Sequence, residues 1–366
     1  MSSRSLDPKK HKALQPAHAL WKLVDEQAAP YRFEANDRAA AVRWQKKTRA
    51  AFRSTLGFTD LPAAPLRARR IERIERVDKG DYVREKLMLR TSRDTLMPVY
   101  LLVPNHAPRP LPVVIAFHGH GYGVKDVVGL WEDGSERVSP DGLHKDFGVT
   151  LCQRGFAVAA PEISCFGERQ SDFSYLSASQ QAPTTCAHTA MLAMHLGGSV
   201  AGLRVYDAER LVDYLATRPE IDVARLGAMG LSGGGMHTLF SACVDPRIRA
   251  CVISGYFSTF RDSIHAMHHC HCNYVHGLHR FGEMYDLIGL VAPRPVLIEA
   301  GTHDPIFPIQ AVKKSVASAR KVYDVFGARD QIQTDYFEGR HRINGQLAYD
   351  FLWQHLASHG LTAPST

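Results

Sequence analysis

RLGAMGLSGGGMHTLFSACV, residues 225–244, decides how the rest of the chain is read. Leu226–Leu231 is a short apolar run of strand length, and Met236–Cys243 reads as a helix. Between them Gly230-Leu231-Ser232-Gly233-Gly234 fits G-x-S-x-G, so a strand passes through a sharp turn directly into a helix. Small residues flank Ser232 because such a turn brings the two backbones close together. The unpaired N–H groups at the start of the following helix face the serine and favour negative charge beside it. Ser232 is therefore a candidate nucleophile.

Outward from this turn the chain alternates strands and helices. Apolar strands are expected at 111–117, 155–162, 225–232, 248–257, 294–301 and 333–339, with helices at 199–217, 234–244, 309–326 and 344–358. Short apolar strands joined by helices predict a mostly parallel sheet covered on both faces, an α/β architecture. Three further strands with a period of two, 71–77, 82–90 and 96–103, precede it. Before these, Trp21 to Phe58 reads as two helical stretches separated by Pro30 and ended by Gly57. The expected organisation is an N-terminal helical extension over 1–65 and a catalytic domain over 66–366. Long insertions fall at about 121–145 and 164–198, both after strand ends, where open α/β sheets bind ligands.

Other strand ends carry the remaining candidates. Phe117-His118-Gly119-His120-Gly121 follows the most apolar strand, and its glycines let an N–H turn toward Ser232. The backbone amides of His120 and Gly233 are the expected pair of oxyanion donors. His118 and His120 as an H-x-H metal pair have no evident third ligand nearby. Asp304 follows strand 294–301 and His341 follows strand 333–339, giving the order Ser…Asp…His, each at the end of a successive strand. Glu299 is the main rival to Asp304; Asp324 and Asp335 are poorer ones. Glu162 and Arg169, in PEISCFGER, are expected at the pocket as an ion pair or as a contact to a polar substrate group. Tyr256 and His269 are expected to line the same pocket.

His265, His268, His269, Cys270, His271, Cys272, His276 and His279 form a dense cluster of metal-capable side chains. Ligands one and two residues apart rarely converge on one ion, so the preferred reading is a loop packed over the pocket, with no metal and no cofactor.

The chain has 366 residues and a formal charge of +7, but its basic residues are dispersed. The densest group, Arg67, Arg69, Arg70, Arg73 and Arg76, is interleaved with Glu72 and Glu75 and reads as a solvated face rather than a nucleic-acid site. Seven cysteines without framework spacing read as free thiols in a reducing compartment. No stretch has the length and apolarity to span a bilayer, and the N-terminus lacks a signal-peptide core, so a cytoplasmic location is expected.

The motifs FHGHG, GLSGGG, GTHDPIFP and EGRHRING, in that order, make the chain resemble bacterial α/β hydrolases of the acetyl xylan esterase and dienelactone hydrolase-like group over about residues 80–360. MHHCHCNYVHGL also resembles a loop of larger members that carry an N-terminal helical extension. The resemblance implies an eight-stranded, mostly parallel sheet and hydrolysis of carboxylic esters through an acyl-serine. By the same resemblance Ser232, Asp304 and His341 form the triad, and His120 and Gly233 supply the oxyanion amides. His120 stands where an aromatic often follows the HG pair, and Ser232 replaces the cysteine of the dienelactone hydrolases proper. The implied partner is a small-molecule ester, with no nucleic acid and no membrane; a homo-oligomer stays open. A peptidase or amidase on the same triad, and a metal-dependent hydrolase built on residues 265–279, are the rival readings.

Overall fold

The computed structural model describes residues 7, 9–58, 61, 71–176 and 183–357. Two helices come first, α1 (Pro16–Glu26) and α2 (Arg38–Leu56). Nine strands follow: β1 (Ile71–Asp78), β2 (Tyr82–Ser92), β3 (Thr95–Pro104), β4 (Leu111–Phe117), β5 (Ala157–Pro161), β6 (Ile221–Leu231), β7 (Ile248–Ser254), β8 (Val296–Gly301) and β9 (Ile332–Phe337). Among them lie α3 (Phe147–Gln153), α4 (Thr185–His195), α5 (Val200–Leu215), α6 (Gly233–Val244), the single turn α7 (Met284–Leu287) and α8 (Ile309–Asp324), with α9 (Ala348–Leu356) last.

All strands join one sheet in the order β1-β2-β3-β5-β4-β6-β7-β8-β9. The first three and the β3–β5 junction are antiparallel; every pairing from β5 through β9 is parallel. Every residue of β4, β5 and β8 is buried, as strands covered on both faces must be. β1 is mostly exposed and carries Glu72, Arg73, Glu75 and Arg76, charges that keep an open edge from pairing with another chain. The sheet thus has nine strands where the resemblance implies eight, with β1 as an outer antiparallel strand on β2. Arg67, Arg69 and Arg70 of the basic cluster lie outside the described residues, and Arg73 bonds Glu85 at 3.2 Å.

Alternate side chains of β4 feed opposite layers. Val113, Ile115 and Phe117 enter a core shared with α2, α5, α6 and α8, while Val114 and Ala116 enter one shared with α3 and α9. Helix α2 begins at Asp37, whose side chain caps Ala40 N–H, and stops at Gly57, whose φ of 79° closes the last turn. Its Phe52 packs edge-on against Phe240 of α6, 5.3 Å between ring centres. No helix among the described residues is long and apolar enough to cross a membrane.

Candidate active site

Ser232 sits between the last residue of β6 and the first of α6 with φ 58° and ψ −118°. That conformation costs a non-glycine residue about 1–3 kcal/mol and persists only where surrounding structure enforces it. Here Ser232 N–H donates to Ser254 O at 2.9 Å, tying the turn to the end of β7. Close approach dictates the glycines: a Cβ on Gly230 would lie 2.4 Å from Gly234 O, and one on Gly234 would lie 2.1 Å from Phe117 O. Strand, turn, helix and the neighbouring β4 are thus packed backbone to backbone, and the serine side chain is left at the cavity.

The β8 loop and the β9 loop meet opposite this turn. His341 Nδ1 lies 2.6 Å from Asp304 Oδ2, while Asp304 Oδ1 accepts N–H bonds from Ile306 (2.9 Å) and Phe307 (3.1 Å). The Asp304 carboxylate is 1% exposed and the His341 side chain 14%, so the acid is shielded while the imidazole reaches the cavity. The Phe307 ring stacks on His341 at 5.7 Å and 15° between planes. On the other side lies Gly255, at φ 52°, where a Cβ would come within 3.1 Å of the imidazole.

Glu299, the rival acid, faces elsewhere. Its Oε1 accepts from Ser254 Oγ (2.6 Å) and Asn344 N–H (3.0 Å), and its Oε2 from Gly345 N–H (2.6 Å). It anchors the loop that carries His341. Burial pushes its pKa above the ordinary carboxylate value. Asp335 bonds Asn344 Nδ2, and Asp324 pairs with Arg329.

Gly233 is the first residue of α6, so its N–H has no partner within the helix. On the facing loop, Gly119 N–H is committed to His144 Nε2 at 2.7 Å, and the amide after it, His120, follows the turn so fixed. His144 Nδ1 lies 2.7 Å from Asp126 Oδ2, and Asp126 in turn bonds Arg137 at 2.8 Å. Arg137 also pairs with Asp146. Burial lowers the His144 pKa despite Asp126, leaving a neutral ring that donates through Nδ1 and accepts through Nε2. Burial would raise Asp126, but His144 and Arg137 override it and hold the carboxyl down at about 2. Sequence reasoning missed His144. Its only signal was a place inside the 121–145 insertion, and nothing in GLHKDF says that the ring turns back to the loop after β4.

Gly119, His120, Ser232, Gly233 and His341 border one cavity of about 1030 Å³. Tyr256 and His269 also border it, His269 with Nε2 3.3 Å from Ser263 Oγ. The 164–198 insertion contributes Phe166, Gln170, Phe173 and Pro183–Ala187 among the described residues, and the 121–145 insertion contributes Leu143 and His144. Glu162 and Arg169 do not line it, and the expected ion pair between them is absent. Arg169 pairs with Asp207 at 2.8 Å and bonds only the backbone carbonyl of Glu162. The Glu162 carboxylate is buried against His118 Nε2 (2.9 Å) and Val124 N–H (3.1 Å), wedged between Gly123 and Gly167. A carboxyl group that deep needs fixed hydrogen-bond partners, and the Val124 N–H supplies one where the cavity would supply none. His118 goes with it, leaving His120 alone at the cavity.

The loop after β7 does pack over the cavity, with His268, His269, Cys270, His271 and Asn273 in its wall. All seven cysteines are free thiols, but three of them gather around His120. His120, Cys270 and Cys272 present ligand atoms within 4.8 Å of one another, and Cys186 Sγ lies 2.9 Å from Cys270 Sγ. Burial would lower the His120 imidazole, yet its contacts with Cys270 and Cys272 lift it to about 9.

A family model described as the Abhydrolase family matches residues 18–343. The Bacillus subtilis (strain 168) protein named "Putative hydrolase YtaP" is 26% identical over 269 residues, 71% of this chain and 83% of that protein. Among solved structures, a "putative acetyl xylan esterase" from Bacteroides fragilis superposes with TM-score 0.71 at 16% identity, over 88% of this chain and 82% of that one. A glucuronoyl esterase from Solibacter usitatus gives 0.60 at 15% identity, over 89% and 96%. At such identities the likeness speaks for the fold.

Proposed function

The chain belongs to the Abhydrolase family of α/β-hydrolase folds, and from that premise we propose that it is a serine-dependent carboxylic ester hydrolase working through an acyl-serine on Ser232. The observation that carries this reading is the 2.6 Å bond between His341 Nδ1 and Asp304, opposite a serine held at φ 58° on the same cavity. With Nδ1–H donating to Asp304, the other ring nitrogen is free to take the Ser232 proton as the hydroxyl attacks an ester carbonyl. The carbonyl oxygen then becomes an oxyanion held by the amides of Gly233 and His120, each donor being worth about 3–4 kcal/mol of barrier. His341 passes its proton to the leaving alcohol. It then activates water, and the acid is released.

The cavity also speaks to the substrate. Among the described residues, no Asp, Glu, Lys or Arg lines it, so the +7 charge of the chain is not focused there. Two buried polar atoms in its wall, Tyr256 Oη and Asn273 Oδ1, have no hydrogen-bond partner in the protein. Buried polar atoms left unpaired are costly, and substrate hydroxyls would satisfy them. The reading is a neutral ester of a hydroxylated alcohol, such as an acylated sugar. Of the fold-sharing structures, the one named for acetyl xylan, an acylated sugar, agrees with that class, while the one named for glucuronoyl esters carries the sugar in the acyl half.

The test is hydrolysis of p-nitrophenyl acetate and of a peracetylated sugar by wild type and Ser232→Ala, with a p-nitroanilide as the amide control. Ester turnover that vanishes in Ser232→Ala is expected. Turnover that survives the substitution overturns the assignment, and a preference for the anilide replaces the esterase with an amidase.

A further inference from the structure

We propose that His120, Cys186, Cys270 and Cys272 form a binding site for one thiophilic divalent cation of the zinc type, set in the wall of the cavity. The site is independent of the ester chemistry on Ser232.

The ligand atoms come from three separate parts of the chain that the fold brings together. His120 lies on the β4 loop, Cys186 in the first turn of α4, and Cys270 and Cys272 on the loop after β7. His120, through a ring nitrogen, Cys270 Sγ and Cys272 Sγ already present ligand atoms within 4.8 Å of one another, and Cys186 Sγ is 2.9 Å from Cys270 Sγ. A tetrahedral zinc with sulfur at about 2.3 Å and nitrogen at about 2.0 Å needs ligand atoms roughly 3.5–3.8 Å apart. Shifts of about an ångström in side-chain position would reach that geometry. A disulfide between Cys186 and Cys270 would need a separation of about 2.05 Å and would leave His120 and Cys272 unused.

Two orphaned groups point to a missing cation complex. His120 Nε2 is buried and makes no well-formed hydrogen bond, although the Cys270 and Cys272 thiols lie beside the ring. Arg204 on α5 is 1% exposed and sits in no ion pair among the described residues. One nitrogen bonds Ser164 O at 3.0 Å, while Nε and the other terminal nitrogen have no partner. A guanidinium that deep, whose other neighbour is the Phe166 ring at 5.6 Å, needs negative charge beside it. The groups acting on it are thiols that would supply that charge once ionised: Cys272, Cys186 and Cys270, with Cys165 beyond the ligand set. A divalent ion with three thiolates and a neutral imidazole carries one net negative charge, which the single positive charge of Arg204 balances. On binding, each thiol gives its proton to solvent. Arg204 N–H groups directed at ligating sulfurs would be the outer-sphere donors that such sites employ.

Four protein ligands close the coordination sphere, which makes the ion structural rather than catalytic. It would fasten the α4 segment and the loop after β7 to His120, the residue whose backbone N–H is the proposed oxyanion donor.

The full chain, expressed without a histidine tag and purified without chelator under mild reductant, is assayed for bound metal by elemental analysis and then loaded with Co2+. About one zinc per chain is expected, together with a Co2+ spectrum showing intense thiolate-to-metal charge transfer and tetrahedral ligand-field bands. Cys272→Ser, His120→Gln and the partly exposed Cys270→Ser should each weaken Zn2+ by about a hundredfold or more, with far-UV circular dichroism unchanged. Ser232→Ala should bind the ion as wild type does, so the fate of this site and of the esterase reading are read separately. A reduced wild-type chain that neither carries nor takes up Zn2+ or Co2+ overturns the proposal, and this needs no variant to fold. A Cys186–Cys270 disulfide in freshly purified protein overturns it too, as does undiminished binding in both cysteine variants.

Discussion

His144 shows how much of the candidate site rests on single side chains outside the triad. Its ring is neutral and bridges Gly119 N–H to Asp126, so it sets the loop that presents the His120 amide. His144→Ala leaves Gly119 N–H without this partner and Asp126 held only through Oδ1, by Arg137 and Tyr122, a loss of about 1–3 kcal/mol for the stranded amide. A displaced oxyanion donor is expected to cut kcat by about a hundredfold while KM changes little. Steady-state kinetics beside thermal unfolding separate that outcome from simple destabilisation. If kcat per folded molecule stays at the wild-type value, the positioning role falls. Ser232 illustrates the opposite relation: its strained backbone could be anticipated from the glycines around it, because nothing larger fits where β4, β6 and α6 touch.

At the scale of elements, the parallel strands act as a row of platforms whose C-terminal ends deliver one group each. β6 ends at Ser232, β8 leads to Asp304 and β9 to His341, and β7 ends where Gly255 leaves room for the imidazole. The loop after β9 is fixed to the sheet by Glu299, which accepts from Asn344 and Gly345 while bonding Ser254 on β7. Glu299→Ala strands three buried donors and should lower stability by about 3 kcal/mol or more. Glu299→Gln retains one acceptor oxygen and should lose less. Both are checked by urea unfolding, with the kcat of the folded fraction expected to fall in the same order. Equal stability of the alanine and glutamine variants would show that the carboxylate is not the anchor.

The whole molecule should be sensitive to acid, and the sign follows from buried histidines and one carboxylate. Burial lowers the pKa of His144, and lowers that of His237 further, so both are neutral when folded. Unfolded, each takes up a proton near pH 6.5, so the stability they contribute is present above that value and lost as pH falls below it. Asp126, held at about 2 by His144 and Arg137 against burial, adds stability present above about pH 4 and lost as pH falls toward 2. Unfolding midpoints should therefore decline from pH 7 to 5 and more steeply below 4. Glu299 and Asp286, whose carboxyls burial raises, the latter to about 6, act in the opposite sense between pH 7 and 5. The histidine contribution is therefore read from His237→Gln, which should flatten the decline over that window. An unchanged slope would mean that His237 is not buried neutral.

What the sequence determined by itself was whatever local pattern controls. The turn at Ser232, the order of Ser232, Asp304 and His341 at successive strand ends, and the parallel sheet follow from apolar runs and glycines whose spacing is a backbone requirement. Boundaries moved by a few residues, as at β5, expected over 155–162 and observed over Ala157–Pro161. Side-chain direction belonged to the tertiary structure. Glu162 and Arg169 sit where the motif put them but turn away from the cavity, because a buried carboxylate must meet fixed donors. Asp304 rather than Glu299 faces His341 because Glu299, within β8, is committed to Ser254, Asn344 and Gly345, while Asp304 lies in the loop beyond the strand. The Cys270–Cys272 pair looked poor for a metal when its neighbours in sequence were counted as its ligands. The groups that would complete the cluster, His120, Cys186 and Arg204, are dozens of residues away along the chain, and only the packing of two loops with α4 and α5 brings them together.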